Sequence, residues 1–443
     1  MSTPEATTVA ARPLLEVSDL HTRFSLRGSF LDRLRGREAG GVKAVDGVSF
    51  TLGREEVLGV VGESGSGKTT LGRTLLGLER PAEGSIRIEG QEVSGLSETE
   101  WRPLRRRLQV VQQDPHASLN PAMTVGDSVG DPLKFHGLES DRETLRRLVA
   151  EALERVGLQP AENFMDSYPT DLSGGQKQRA VLARAIILRP DVLIADEPVS
   201  MLDMSVRAKI LELMLGLKDE YGLTYIYITH DLATAKFFCD RIAIMYLGKI
   251  VELGPAEEIY ADPKHPYTRA LLDAIPEPDP SRAVPRDLPR GEVPDAVVPP
   301  LGCPFHPRCP RAFEVCGWES RDLRAQLESH WTQLPEEHYE KEREVIGDIE
   351  DLDVAETEAR VEAGSGYIGD DVHEVLEELR RDHPDDPFWK GVREIEPGPR
   401  EVVVRFNEPL EPREVTAGRS RVLCHLHDEA ALARARELSR DQR

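Results

Sequence analysis

Residues 62–70, GESGSGKTT, have the residue types and the spacing that bind phosphate groups. They follow the apolar run VLGVV and precede LGRTLLGLE, an order that predicts a strand, a glycine-rich loop and a helix. The glycines let backbone N–H groups turn inward around phosphates, and the helix N-terminus adds positive potential. Lys68 would then reach the β and γ phosphate oxygens, and the Thr69 hydroxyl would ligate Mg²⁺. The other candidate phosphate-binding residues in this loop are Gly62, Ser64, Gly65, Gly67 and Thr70.

A second segment, VLIADEP at residues 192–198, ends an apolar strand in two acids. Asp196 is placed to hold Mg²⁺ through water, and Glu197 is placed to polarise an attacking water as general base. Two adjacent acids at a strand end are also compatible with a solvated turn. Their position behind a phosphate-binding loop favours hydrolysis of a nucleoside triphosphate.

The segment LSGGQKQRA, residues 172–180, lies about twenty residues before the two acids. With the first two motifs it resembles the nucleotide-binding subunit of ATP-binding cassette (ABC) transporters. Ser173, Gly174, Gly175 and Gln176 match the family's signature motif. The resemblance implies that two cassettes close head to tail over two ATP molecules, each signature completing the site of the opposite subunit. Two glycines that open a helix also offer unpaired N–H groups to a γ-phosphate.

Four further positions match the family in order along the chain. Gln113, in QVVQQDPHASLNP, matches the glutamine that senses Mg²⁺ and the transmembrane partner. Asp203 matches the aspartate that faces the other subunit, and His230, in YITHD, the histidine that contacts the γ-phosphate. Phe24 stands where the family stacks an aromatic ring on adenine. Considered singly, His230 would more often be an ordinary polar residue and Phe24 a core residue.

Strand-like and helix-like runs alternate from Thr70 to about Ile259, which predicts an α/β domain with a largely parallel sheet. The expected fold class is a P-loop NTPase of the ABC cassette type. The resemblance implies a RecA-like core, an antiparallel β subdomain and a helical subdomain with the signature, followed by a C-terminal Cys-containing extension. Residues 14–26 alternate in a way that predicts an edge strand.

The domain organisation follows from shifts in composition. Residues 276–300 contain eight prolines and predict an extended connector. Residues 319–423 carry 29 acidic and 14 basic residues, so they are expected to be a small domain, a lid or a partly ordered, salt-adapted solvating insertion. The predicted segments are a disordered tail (1–12), the ABC ATPase domain (13–262), an oligopeptide/dipeptide-type region with the cysteines (263–318), the acidic insertion (319–423) and the C-terminal end (424–443).

Composition indicates where the protein acts in the cell and which partners it avoids. No apolar run among the 443 residues approaches the roughly 20 that a membrane-spanning helix needs. A net charge of −23 opposes binding to nucleic acid. The N-terminus has no basic region followed by an apolar stretch, so we expect a cytoplasmic protein. With the family resemblance, this predicts a peripheral protein on the cytoplasmic side of the cell membrane.

Two segments resemble the oligopeptide/dipeptide import branch of the family: SLNP after Gln113, and KHPYTRALLDAIP with GCPFHPRCPRAFEVC. The resemblance covers residues 13–318 and resumes at RVLCHLH. It implies ATP-driven import of peptides, or of a related solute such as nickel or an oligosaccharide. The implied partners are a second ABC ATPase subunit, homologous or identical, two transmembrane permease subunits and an extracytoplasmic substrate-binding protein. The alternative function is a soluble switch ATPase with a redox-sensing or metal-sensing cysteine patch.

Four cysteines define a candidate metal site. Members of this import branch hold a [4Fe-4S] cluster in their C-terminal region, and four thiolates from a loop-rich region suit a cluster or a structural Zn²⁺. Thiols that bind no metal are the third interpretation. The acidic insertion puts in doubt whether the last cysteine returns to the others. The candidate ligands are Cys303, Cys309, Cys316 and Cys424, and His306, His425 and His427 are possible substitutes.

Overall fold

The computed structural model describes residues 12–25, 41–275 and 291–441. The predicted disordered tail lies outside these residues except for Arg12, and so does the first part of the predicted connector, residues 276–290. The chain divides into two compact units after Tyr260. None of the helices in the described residues is long and apolar enough to cross a membrane.

Among the residues that the structure describes, the first unit contains ten strands. They are β1 (Leu15–Ser25), β2 (Gly41–Leu52), β3 (Val57–Val61), β4 (Glu83–Ile88), β5 (Gln91–Glu92), β6 (Leu108–Val111), β7 (Val192–Asp196), β8 (Thr224–Thr229), β9 (Arg241–Tyr246) and β10 (Lys249–Pro255).

Strands β1, β2, β4 and β5 form an antiparallel sheet in the order β2-β1-β4-β5. The prediction that β1 is an edge strand is wrong, because β1 pairs with β2 on one side and β4 on the other. Alternation of apolar and polar residues reports one buried face, and a central antiparallel strand has that face just as an edge strand does.

A second sheet carries the candidate site. Strands β6, β7, β8, β3 and β9 run parallel in that order, and β10 pairs antiparallel with β9. The runs VLGVV of β3 and TYIYIT of β8 are fully buried, as expected for parallel strands covered on both faces. The motif residues Gly62, Glu197 and His230 follow β3, β7 and β8, so they lie at one edge of this sheet.

The helices of the first unit connect these strands. The helices are α1 (Lys68–Leu75), α2 (Glu98–Leu104), α3 (Pro115–Ser118), α4 (Val125–Phe135), α5 (Arg142–Arg155), α6 (Glu162–Met165), α7 (Gly174–Ile186), α8 (Met204–Tyr221), α9 (Leu232–Phe238) and α10 (Ala256–Ala261). Helices α3 to α7 precede β7 in the chain, and α4, α5 and α7 pack against one another as a helical layer that holds the signature segment.

The second unit has its own sheet and helices. Strands β11 (Glu358–Glu362), β12 (Val392–Pro397) and β13 (Glu401–Phe406) form an antiparallel sheet in the order β11-β13-β12. Strands β14 (Glu414–Ala417) and β15 (Ser420–Leu423) form a hairpin. The helices are α11 (Pro266–Asp273), α12 (Ser320–Trp331), α13 (Glu336–Val345), α14 (Gly369–Asp382), α15 (Phe388–Gly391) and α16 (Glu429–Asp441).

Candidate nucleotide site

The glycine-rich loop joins β3 to α1 in a conformation that only glycine tolerates. Gly67 has φ 99°, and a Cβ placed on it would lie 1.9 Å from the carbonyl oxygen of Ala44. A Cβ on Gly62 would lie 2.1 Å from the carbonyl oxygen of Met245. These close approaches hold the loop against the backbone of Ala44 and Met245 and leave no space for a side chain at Gly62 or Gly67.

Lys68, the first residue of α1, is buried and turned into its own loop. Its Nζ donates hydrogen bonds to the carbonyl oxygens of Gly62 (2.8 Å) and Glu63 (2.7 Å) and to Ser66 Oγ (3.3 Å). Burial lowers the pKa of Lys68, and the carboxylates of Glu197 and Asp196 partly oppose that shift. The Lys68 ammonium therefore lies within electrostatic range of Asp196, the last residue of β7, and of Glu197, which follows it. Sequence reasoning missed Ser66, whose place in GESGSGK was the available signal.

Asp196, at the end of β7, faces the start of α1. Thr69 Oγ1 donates to Asp196 Oδ1 over 3.4 Å. Burial raises the pKa of Asp196, and the neighbouring Glu197 raises it further, whereas Thr69 and Lys68 lower it. A carboxylate and a hydroxyl at this separation supply the hard oxygen donors that Mg²⁺ prefers.

Glu197 lies between two residues that come from distant parts of the chain. Gln113 Nε2 donates to Glu197 Oε2 over 2.9 Å, and His230 Nδ1 lies 2.9 Å from Glu197 Oε1. The backbone of Glu197 has φ 47°, unusual for a residue with a side chain, and its N–H donates to the carbonyl of Ile228 on β8. The structure thus brings together three predicted site residues at one strand edge.

The signature residues form the N-terminus of α7. Ser173 is the N-cap: its Oγ accepts from Gln176 N over 3.4 Å, and its N–H donates to Gln176 Oε1 over 2.8 Å. A Cβ on Gly174 would lie 3.5 Å from Leu202, and one on Gly175 would lie 2.8 Å from Val206. The signature therefore packs beside the segment that leads into α8.

The remaining predicted residues lie around this group. Asp203 is the exposed N-cap of α8, and Phe24 lies near the end of β1 opposite Val42, with 40% of its surface exposed. Ser64 is exposed, and the carbonyl of Thr70 accepts from Thr74 Oγ1. In the described part of the chain, no hydrogen bond joins Phe24, Asp203 or the signature to Lys68, Asp196 or Glu197.

A groove of about 820 Å³ lies beside Gln113 in the helical layer. It is lined by Gln109 and Val110 of β6, by Gln112, residues 116–121 and Met123, and by parts of α4 and α7. Arg184 on α7 donates to the carbonyl of Ser118, which fixes one wall. Ser118 is the last residue of α3, so this wall belongs to the segment that follows Gln113.

In the second unit, the four candidate cysteines lie within electrostatic reach of one another. Burial, followed by the nearby Cys303, Cys309 and Cys424, raises the pKa of Cys316 well above its ordinary value. Burial and Cys303 raise the pKa of Cys309 to about 12. Within the residues that the structure describes, no group of three or more His, Cys, Asp or Glu side chains is arranged to hold a metal ion.

The three candidate substitute ligands differ in their surroundings. His306 is fully buried, with Nε2 2.9 Å from Asp322 Oδ2 and Nδ1 2.8 Å from the carbonyl of Cys303. His427 Nε2 lies 3.1 Å from the carbonyl of Lys264. His425 is buried, and its ring lies 6.3 Å from that of Phe313.

Comparison with known proteins finds two family models along this chain. The model "ABC transporter" matches residues 45–200, and the model "Oligopeptide/dipeptide transporter, C-terminal region" matches residues 251–316. A solved dimeric ATP-binding cassette with ADP and Pi aligns at 27% identity over 55% of this chain and 98% of that one, with a TM-score of 0.48.

Curated relatives match a longer part of the chain than either family model does. A putative peptide import ATP-binding protein of Brucella ovis is 44% identical over 319 residues, which cover 72% of this chain and 96% of the relative. The oligopeptide transport ATP-binding protein AppF of Bacillus subtilis is 44% identical over 321 residues, 72% of this chain and 95% of its own length. With a phosphate-binding loop, an Asp-Glu strand end and a signature helix in one unit, the chain belongs to the ABC transporter family, as an ATPase subunit.

Proposed function

We propose that this chain hydrolyses ATP to energise the import of peptides, or of a related small solute, through separate membrane-spanning subunits. The observation that carries the ATPase part is Glu197, held at both carboxylate oxygens by Gln113 and His230. The import part is supported by the names of the relatives and by the matched C-terminal region. Nothing in those names favours the alternative, a soluble switch ATPase.

In the proposed reaction, Glu197 accepts a proton from the water that attacks the γ-phosphate. His230 and Gln113 hold its two oxygens, so the carboxylate has a fixed direction. When ATP binds, the Lys68 ammonium exchanges its hydrogen bonds to the loop carbonyls for hydrogen bonds to β and γ phosphate oxygens. It therefore has hydrogen-bond acceptors both before and after the nucleotide binds. Gly62, Ser64, Gly65, Gly67 and Thr70 line the phosphates, and Phe24 stacks on the adenine.

Mg²⁺ fits the oxygen donors at the end of β7. Thr69 Oγ1 and Asp196 Oδ1 lie 3.4 Å apart, and Gln113, whose Nε2 donates to Glu197, would supply its amide oxygen as a further ligand. When bound there, Mg²⁺ would neutralise phosphate charge. It would also offset the cost of ionising Asp196, whose pKa is raised by burial and, to a smaller extent, by repulsion from Glu197.

We propose that two cassettes pair, with Ser173, Gly174, Gly175, Gln176 and Asp203 facing the partner's ATP. The exposed signature N-terminus and the exposed Asp203 lie on neighbouring segments, which supports one shared pairing surface. The other proposed partners are two permease subunits and an extracytoplasmic binding protein. The chain would therefore act at the cytoplasmic face of the cell membrane.

The groove beside Gln113 is the proposed docking site for a cytoplasmic segment of a permease. Its wall is continuous in sequence with Gln113, which contacts Glu197, so a bound segment would be linked to the catalytic base through a few residues. Ala117 lies exposed in the lining. An arginine there would occupy the groove without touching Lys68 or Glu197.

Affinity purification from gently solubilised native membranes tests the partner set. We expect the tagged wild type to bring down two multispanning proteins and a second cassette, identified by mass spectrometry. Ala117→Arg should lose the multispanning proteins and keep ATP binding, whereas Ala433→Arg, on an exposed position of α16, should keep both. A wild-type catch that contains only soluble proteins would contradict the import proposal and leave the ATPase assignment standing.

For the C-terminal Cys-containing extension, we propose a [4Fe-4S] cluster on Cys303, Cys309, Cys316 and Cys424. Support comes from the mutual electrostatic influence of the four thiols and from thiolate as the preferred ligand of such clusters. Among the described residues, no group of three or more His, Cys, Asp or Glu side chains is arranged to hold a metal ion, and this applies to Zn²⁺ and to the cluster alike. Anaerobic purification should give iron, sulfide and visible absorption that Cys309→Ser removes and Cys239→Ser retains; protein without iron would contradict the proposal.

A further inference from the structure

The acidic segment, residues 319–423, shares one hydrophobic core with the segment that carries the first three cysteines. Phe313, Val315, Cys316 and Trp318 pack in the same buried cluster as residues of β11, β13 and α14. Both family models end before this segment, the later one at residue 316. The acidic segment is therefore an addition that is built into the cysteine region.

Trp318 contacts the acidic segment at Phe388 and Gly391. Its ring meets the Phe388 ring edge to face, with centroids 5.8 Å apart, and its Nε1 donates to the carbonyl of Phe313 over 2.9 Å. A Cβ on Gly391 would lie 2.0 Å from Trp318 Cδ1. The N–H of Phe313 in turn faces Cys316 Sγ at 3.4 Å. Two hydrogen bonds thus connect the ring of Trp318 to a cysteine sulfur.

Backbone contacts continue this connection along the cysteine segment. Leu410 N donates to the carbonyl of Val315 over 3.0 Å, and Cys303 N donates to the carbonyl of Cys316 over 2.9 Å. A Cβ on Gly302 would meet the carbonyl oxygens of both Cys316 and Leu410 within 3 Å. No room is left there for a side chain, so the acidic segment closes directly over the cysteine loop.

The last strand of the acidic segment delivers the fourth cysteine. β15 ends at Leu423, and Cys424 follows it directly. Cys303, Cys316 and Cys424 retain only 8%, 6% and 7% of their surface exposed. The acidic segment therefore packs on Cys316 and leads directly into Cys424, in a region where three of the four thiols are buried.

We propose that residues 319–423 form a folded cover over the cysteine site, anchored by Trp318, that shields the thiols from solvent-borne oxidants and electrophiles. A buried thiol reacts only when its surroundings open, since the reagent needs an accessible thiolate. The inference depends on packing alone and holds whether or not the thiols carry a metal cluster.

Thiol alkylation of the full-length chain tests the cover. The protein is first treated with a chelator and a reductant so that all five cysteines start reduced, then labelled with iodoacetamide, and each site is followed by peptide mass spectrometry. Gly391→Ala drives a methyl group into the Trp318 ring, and Trp318→Phe keeps most of the ring volume but removes the N–H donor. Gly216→Ala, where an added Cβ meets nothing within 4 Å, is the matched control.

In wild type, we expect Cys309, the one partly exposed cysteine of the four, to label first. Gly391→Ala should raise the labelling rates of Cys303, Cys316 and Cys424 at least about tenfold, and Trp318→Phe should raise them less. Cys239, buried in the cassette, is an internal reference for global unfolding and should stay slow. Unchanged rates for the three thiols in both variants would overturn the cover, and so would acceleration of Cys239 in parallel with them.

Discussion

Replacing Glu197 by glutamine separates ATP binding from ATP hydrolysis. Glutamine has the same shape: its amide oxygen still accepts from Gln113 Nε2, and its amide N–H still reaches His230 Nδ1 when the ring carries its proton on Nε2. Both wild-type contacts are 2.9 Å long, so the substitution preserves the local packing. The change removes the one group placed to take a proton from the attacking water.

The size of the effect follows from the role of a general base. Such a group contributes about 10²–10⁴ in rate, so we expect kcat to fall at least about 100-fold, or about 2.7 kcal/mol in activation free energy. ATP affinity should stay within about threefold of wild type, because Glu197 does not line the phosphate-binding glycines. The thermal midpoint should change little, because the two hydrogen bonds remain.

Steady-state phosphate release and equilibrium binding of ATP measure the two quantities on the same preparations. Glu212→Gln, on an exposed position of α8 far from β7, is the matched control and should hydrolyse at the wild-type rate. A Glu197→Gln variant that hydrolyses as fast as the control would refute Glu197 as the base. A variant that no longer binds ATP would instead show that the carboxylate holds the nucleotide.

Three further changes test neighbouring parts of the structure. Gly67→Ala should lower ATP affinity more than about tenfold, because the added Cβ would meet a backbone oxygen. At Gly65 the space is open and φ is 79°, so Gly65→Ala should cost only about 1 kcal/mol of backbone strain. Titration of ATP binding compares the two variants. Asp196→Asn should raise the thermal midpoint by about 2 °C at neutral pH while abolishing hydrolysis. Folding raises the pKa of Asp196 above its ordinary value of 3.8, so ionised Asp196 destabilises the folded state at pH values above the raised pKa. The stability gain of Asp196→Asn should therefore vanish below pH 3.8, where the carboxyl group is protonated in both the folded and the unfolded state. Arg405→Ala should destabilise the second unit at low salt and recover at about 1 M salt, because Glu358, Glu394 and Glu396 then repel one another; an effect independent of salt would contradict this.

The candidate site could be predicted from the sequence because most of its residues lie in short, local motifs. Glycines, a lysine and a strand ending in two acids predict which residues meet phosphate, and parallel strands bring their ends to one edge. The pairing of Gln113 with Glu197, 84 positions apart, could be expected only through the family resemblance. The turn of Lys68 toward its own loop carbonyls could not be predicted from the sequence, since no residue pattern distinguishes that side-chain direction.

The structure of the acidic segment could not be predicted from its composition. Its excess of acids left a small domain, a lid and a partly ordered, solvating insertion all open. In EVVVRF of β13, Val402, Val404 and Phe406 belong to the hydrophobic core and Val403 is buried as well, while Arg405 pairs with glutamates. Charge counts describe the surface, whereas the period of the few apolar residues decides whether a core forms. Because those residues pack against Trp318 and Cys316, which lie before the segment in sequence, no local pattern within it predicts what it covers.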